Sequence, residues 1–149
     1  MKNYEEFIKN AKYYLDENLR NVTNLANLSA YIFSSLEDIN WVGFYLLEEN
    51  ELYLGPFQGK PACSSIQMGK GVCGTSASKR ESIIVKNVHE FTGHIACDSD
   101  SESEIVIPVI TKSGQLFGVL DIDSPIQDRF DEEIKIALEN IVSFLVDIL

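Results

Sequence analysis

Three thiols and a set of carboxylates carry whatever chemistry this chain can do. Cys63, Cys73 and Cys97 all fall between Gly55 and Asp123, in stretches that read as loop-like and not as apolar runs. The same region holds both histidines and the acids Asp98, Asp100, Glu102, Glu104, Asp121 and Asp123. A thiolate attacks an electrophilic sulfur or oxygen and is oxidised to a sulfenic acid, which a second thiol condenses to a disulfide. Cys97, in His94-Ile95-Ala96-Cys97-Asp98 within a polar stretch, is placed for such attack. Cys63 or Cys73 could act as the second thiol if the Cα atoms come within about 7 Å. Neighbouring aspartates disfavour a thiolate at Cys97, so an acid that activates the substrate matters as much as the nucleophile. Asp121 and Asp123 share one strand face, because side chains repeat every two residues. They follow an apolar run, which points to a ligand site and not a solvated sheet edge. Trp41 reads either as core packing or as an aromatic wall against a methyl or cation.

Other chemistries fit less well. Gly69-Lys70-Gly71 lacks the spacing of a phosphate loop, and its glycines suit positive φ in a turn that starts a helix. Cys63, Cys73, Cys97 and His94 would give zinc four ligands, but no close cysteine pair exists, so no metal is expected. His89 and His94 read as loop hydrogen-bonding residues without a catalytic role. The formal net charge of −11 repels phosphate backbones and anionic lipid, so nucleic acid and membrane are excluded as partners. An odd cysteine count without a C-x-x-C pair suits a reducing compartment. With no N-terminal apolar segment and no window near ~20 apolar residues, a cytoplasmic protein is expected.

The elements that must position these groups are legible from periodicity. Tyr4, Phe7, Ile8, Ala11, Tyr14 and Leu15 predict an amphipathic helix over about 4–19. Asn21 or Thr23 would cap a second, with Val22, Leu25, Leu28, Ile32 and Leu36 on one face. Trp41–Leu47 and Leu52–Phe57 form a hairpin. Ser65–Met68 and Ser82–Val85 are short strands flanking a helix from Val72 to Lys79. Residues 87–103 form a long loop, of the kind that often carries function. Glu104–Thr111 and Leu116–Asp123 make a second hairpin. Asp131 caps a last helix whose apolar face is Ile134, Ala137, Leu138, Ile141, Val142, Leu145 and Ile148. Ile136, Phe144 and Val146 lie off that stripe and suggest a second contact surface, a homodimer. The fold class is α+β: one domain over residues 1–149, a central mainly antiparallel sheet, terminal helices on one face and the pocket with its loops on the other.

Three stretches carry a family resemblance: Ile66 to Thr75, the strand at Ser82 to Val85, and Gly114 to Ser124. They resemble a GAF domain. More narrowly, the chain is similar to the free methionine-(R)-sulfoxide reductases from about Tyr4 to Leu149. The carrying motifs are Asn40-Trp41-Val42-Gly43-Phe44-Tyr45, Gly55-Pro56-Phe57-Gln58-Gly59, Pro61-Ala62-Cys63, Gly69 to Gly74, His94 to Asp98, Ser103 to Pro108 and Leu120 to Ser124. The resemblance implies Cys97 as nucleophile, Cys63 as resolving thiol and Cys73 as auxiliary thiol. It implies that Trp41 and Tyr45 shape the pocket, while Glu104, Asp121 and Asp123 hold the substrate ammonium and help protonate the sulfoxide oxygen. It further implies thioredoxin as reductant, a homodimer, and no metal or organic cofactor. Two other readings remain: a ligand-binding GAF module without catalysis, and a thiol redox sensor.

Overall fold

Alternation along the strands sorts the side chains of one sheet into two cores. The computed structural model describes residues 3–94 and 100–149. The chain order is α1 (Glu5–Ala11), α2 (Asn21–Ser35), β1 (Trp41–Glu48), β2 (Glu51–Gly59), β3 (Ser65–Gln67), α3 (Gly71–Lys79), β4 (Ile83–Val85), β5 (Ser103–Ile110), β6 (Leu116–Ser124) and α4 (Glu132–Val146). Among the described residues, 3₁₀ turns at Lys12–Tyr14 and Val88–Glu90 accompany these elements. The strands form one sheet in the order β3-β2-β1-β6-β5-β4, and each neighbouring pair is antiparallel.

On one face, Val42 and Phe44 of β1, Ile105, Ile107 and Val109 of β5, and Leu120 and Ile122 of β6 pack against α1, α2 and α4. The intervening residues, Trp41, Tyr45, Val106 and Val119, point to the other face and pack with Val72, Cys73 and Ala77 of α3. That second face builds the pocket, as the α+β GAF-like reading expects. Among the described residues no helix is long and apolar enough to cross a membrane.

The final helix forms with the expected cap and face, the Asp131 carboxylate accepting from the Ile134 N–H and Ile134, Ala137, Leu138, Ile141, Val142 and Leu145 buried, but it ends at Val146, so Ile148 lies beyond it and is only half-buried. Four expectations need correction. The first helix stops at Ala11 and continues only as the 3₁₀ turn to Tyr14, well short of Leu19. The Asn24 side chain takes both main-chain groups of Asp16, and the Asp16 carboxylate accepts from the Asn18 N–H. Such side chain–backbone bonds compete with the helical ladder and end it. Neither Asn21 nor Thr23 caps α2, since extended Arg20 stands at that position without a side-chain cap. Val22 is exposed. At about 100° per residue it lies roughly 90° from the centre of the stripe set by Leu25, Leu28 and Ile32. Finally, Cys73 falls, as the helix expected over Val72–Lys79 implies, in the first turn of α3, and it is buried in the second core and not in loop-like surroundings.

Candidate active site

Register alone brings the acids together. Glu104 of β5 pairs with Asp123 of β6, and Asp123 pairs with Trp41 of β1. Two residues along, Val106 pairs with Asp121 and Asp121 with Gly43. Glu104, Asp121, Asp123, Trp41 and Tyr45 therefore project from three adjacent strands onto one face. With Ala62, Ile66, Ser101, His94 and the start of α3 at Gly71, Val72 and Cys73, they line a cavity of about 40 Å³.

The aromatic wall is rigid. The Trp41 indole stacks on Phe57 with ring centroids 5.2 Å apart and on Tyr45 at 6.0 Å. Its Nε1–H donates to the Lys60 carbonyl at 3.0 Å, and the Tyr45 hydroxyl donates to the Cys63 carbonyl at 2.9 Å. Both bonds tie the segment that carries Cys63 to the sheet floor. Burial, then the charge of Asp121, pushes the Tyr45 phenol far up, so it stays a neutral donor. Gly43 makes this stacking possible. A Cβ there would lie 2.6 Å from Trp41 Cη2 and closer still to Phe57 Cβ. Gly43→Ala is expected to destabilise the fold by about 1–3 kcal/mol through overpacking. A drop in the denaturant midpoint, with a shift in Trp41 emission, checks it.

At the mouth of α3, Gly69 and Gly71 adopt φ of +81° and +63°, the positive-φ turn expected for these glycines. The turn delivers Cys73 to the acids, its Sγ 3.9 Å from Glu104 Oε2. Burial first, then Asp121 and Glu104, push the Cys73 thiol well above its ordinary value, so it stays protonated. Glu104 and Asp121 are each 6% exposed. Desolvation, followed by the charge of Asp123, raises Glu104 to about 8. Desolvation, followed by Glu104, pushes Asp121 well above the usual carboxylate range. A buried carboxyl with carboxylate neighbours keeps its proton, and can therefore donate it, at neutral pH.

The sites named from sequence fall as follows. Trp41, Tyr45, Cys73, Glu104, Asp121 and Asp123 share the cavity. Cys63 lies beside it, through its carbonyl, and is a disulfide cysteine, whereas Cys73 is a free thiol. Cys97 and Asp98 lie outside the described residues. Two acids grouped with the pocket do not line it: Asp100 pairs with Lys60 at 2.6 Å and Glu102 with His89 at 3.1 Å, at the surface. Asp100 finds solvent and the Lys60 ammonium there, and Glu102 finds solvent and the His89 ring, which removes the cause for burial. Conversely His94, read without a role, lines the cavity with Nε2 3.7 Å from Glu104 Oε1. Burial lowers its proton affinity, so the ring is neutral. Its place beside the Cys97 motif was the available signal.

Comparison with known proteins agrees with this architecture. The GAF domain family model matches residues 22–149. The free methionine-R-sulfoxide reductase of Escherichia coli is 50% identical over 128 residues, covering 86% of this chain and 77% of that one. The free methionine-R-sulfoxide reductase of Saccharomyces cerevisiae is 49% identical over 131 residues, 83% of this chain and 73% of that one. The structure of fRMsr of Staphylococcus aureus in complex with substrate superposes with a TM-score of 0.93 at 50% identity, covering 100% of this chain and 97% of that one. Matches of this extent, over a sheet, helices and acid-floored cavity of this form, place the chain in the GAF-domain family, with the free methionine-R-sulfoxide reductases.

Proposed function

We propose that this protein reduces free L-methionine (R)-sulfoxide to L-methionine with electrons from its own thiols. The observation that carries the reading is the proton-holding pair Glu104 and Asp121, walled by Trp41 and Tyr45, in a chain half identical to proteins named for that activity. A sulfoxide oxygen leaves poorly until it is protonated, and Glu104 supplies that proton. Cys97 attacks the substrate sulfur; the oxygen passes to Cys97 as a sulfenic acid and methionine departs. The Cys63 thiol then attacks the Cys97 sulfur, forming the disulfide and releasing water. An external dithiol, thioredoxin, restores both thiols by exchange. The disulfide state of Cys63 and the free, protonated thiol of Cys73 support this division, with Cys73 as an auxiliary thiol.

Trp41 and Tyr45 contact the methyl and side chain of the substrate. Asp121 and Asp123 meet its ammonium, which a peptide-bonded methionine lacks. The chemistry asks for no metal or organic cofactor. We place the protein in the cytoplasm as a single domain over residues 1–149, and as a homodimer.

The test is incubation of the protein with the R- and S-epimers of free methionine sulfoxide and dithiothreitol, followed by chiral chromatography. Loss of the R-epimer alone, with one methionine formed per sulfoxide consumed, is the expected result. Absence of turnover with reversible Cys63 oxidation would make the protein a redox sensor. Absence of both would make it a ligand-binding module.

A further inference from the structure

Cys73, Glu104 and Asp121 offer one sulfur and two carboxylate oxygens that all lie within 4.8 Å of one another, and all three residues are buried. Four ligands around a tetrahedral Zn²⁺, at about 2.0–2.3 Å from the ion, stand roughly 3.3–3.8 Å from each other. The 3.9 Å between Cys73 Sγ and Glu104 Oε2 is close to that edge length, and the other oxygen of the same carboxyl, Oε1, lies 3.7 Å from His94 Nε2. A second observation points to a ligand. Asp121, 94% buried by its 6% exposure, lines the cavity, and its Oδ1 has no hydrogen-bond partner among the described residues. An oxygen left so, in a native interior, calls for an ion, a water or a ligand atom.

We propose that the pocket is also a binding site for a thiophilic divalent cation of the Zn²⁺ class, held by Cys73, Glu104 and Asp121, with His94, which stands next to Glu104 but outside that 4.8 Å cluster, turning in as fourth ligand. The donor set decides the class. A thiolate and a neutral imidazole select Zn²⁺ over Ca²⁺ or Mg²⁺, which take oxygen ligands. Binding displaces the protons of the thiol and both carboxyls into solvent and leaves no net redox change. The site differs from one built on Cys63 and Cys97, because its only sulfur comes from the first turn of α3. Ion and organic ligand would compete for the same acids, so Zn²⁺ is an inhibitor of whatever the cavity binds. The proposal stands apart from the reductase reading, since it concerns the ligand-free chain.

The full-length Cys63→Ser/Cys97→Ser double variant leaves Cys73 as the one thiol and removes rival sulfur sites. Titrating it with Co²⁺ should give a single thiolate-to-cobalt band in the near ultraviolet, with one ion per chain. Zn²⁺ should displace the cobalt and perturb the emission of Trp41, the chain's one tryptophan. Adding Cys73→Ala should abolish the band. The isosteric Asp121→Asn should weaken binding by about 100-fold or more, because losing even a supporting residue costs about 10–100-fold. Circular dichroism and the melting midpoint identify a variant that has failed to fold, and Asp121→Asn then decides alone. Absence of the band in the double variant, or Zn²⁺ affinity unchanged in folded Asp121→Asn, overturns the proposal.

Discussion

Cys97→Ser is expected to remove reduction of free methionine (R)-sulfoxide altogether, the first turnover included. A hydroxyl at that place is a far weaker nucleophile towards sulfur, and loss of a nucleophile costs roughly 10³-fold or more in turnover. Cys63→Ser should behave differently. It keeps the attacking thiol and loses the partner that converts sulfenic acid to disulfide. It should release one methionine per chain in a burst and then stall, with recycling by thioredoxin lost. Rapid-quench assays of methionine release, with and without reductant, separate the two variants. Stoichiometric methionine from Cys97→Ser would mean that another sulfur attacks. Cys73 is a poor substitute, because its burial among acids holds it as a thiol.

The second large effect belongs to the acid. Glu104→Gln keeps the shape of the side chain but cannot surrender a proton. A positioned general acid contributes about 10²–10⁴-fold, so kcat/KM should fall within that range. In the wild-type protein Glu104 carries its proton below about pH 8 and loses it above. Activity should therefore decline as pH rises through about 8, and Glu104→Gln should lack that limb. Stability follows the same proton. The folded value of Glu104 lies above its ordinary 4.5. Its contribution is thus fully present below pH 4.5 and is lost as pH rises through about 8. Each unit of separation corresponds to about 1.4 kcal/mol, so the total is a few kcal/mol in order of magnitude. Urea unfolding from pH 5 to 9 should show stability falling with pH, and a flatter profile for Glu104→Gln.

Much of this site is written in local pattern. Alternation in Leu120-Asp121-Ile122-Asp123 puts both aspartates opposite Leu120 and Ile122, and the structure buries those two leucine and isoleucine side chains against the helices. The same alternation in Trp41 to Tyr45 separates Trp41 and Tyr45 from Val42 and Phe44. What pattern alone leaves open is which strands are neighbours. The junction of β1 with β6 sets Asp123 beside Trp41, and it joins residues more than seventy positions apart. A proton-donating acid among Glu104, Asp121 and Asp123 was expected, but which of the three was hidden, because burial arises from α3 and His94 closing over the sheet. Misread features share a cause. The early end of α1 depends on Asn24 reaching back to Asp16, and the exposure of Val22 depends on where the sheet lies. Asp100 and Glu102 look like pocket acids by proximity in the chain, yet their surface partners Lys60 and His89 draw them outward.

Catalysis here depends on a buried carboxyl that still holds its proton at neutral pH. Infrared difference spectroscopy of the protonated-carboxyl stretch, for wild-type protein against Glu104→Gln across pH 4 to 10, observes that proton directly. A band present at pH 7, absent in Glu104→Gln and lost with a midpoint near 8 is the predicted result. A Glu104 carboxylate already ionised by pH 6 would contradict it.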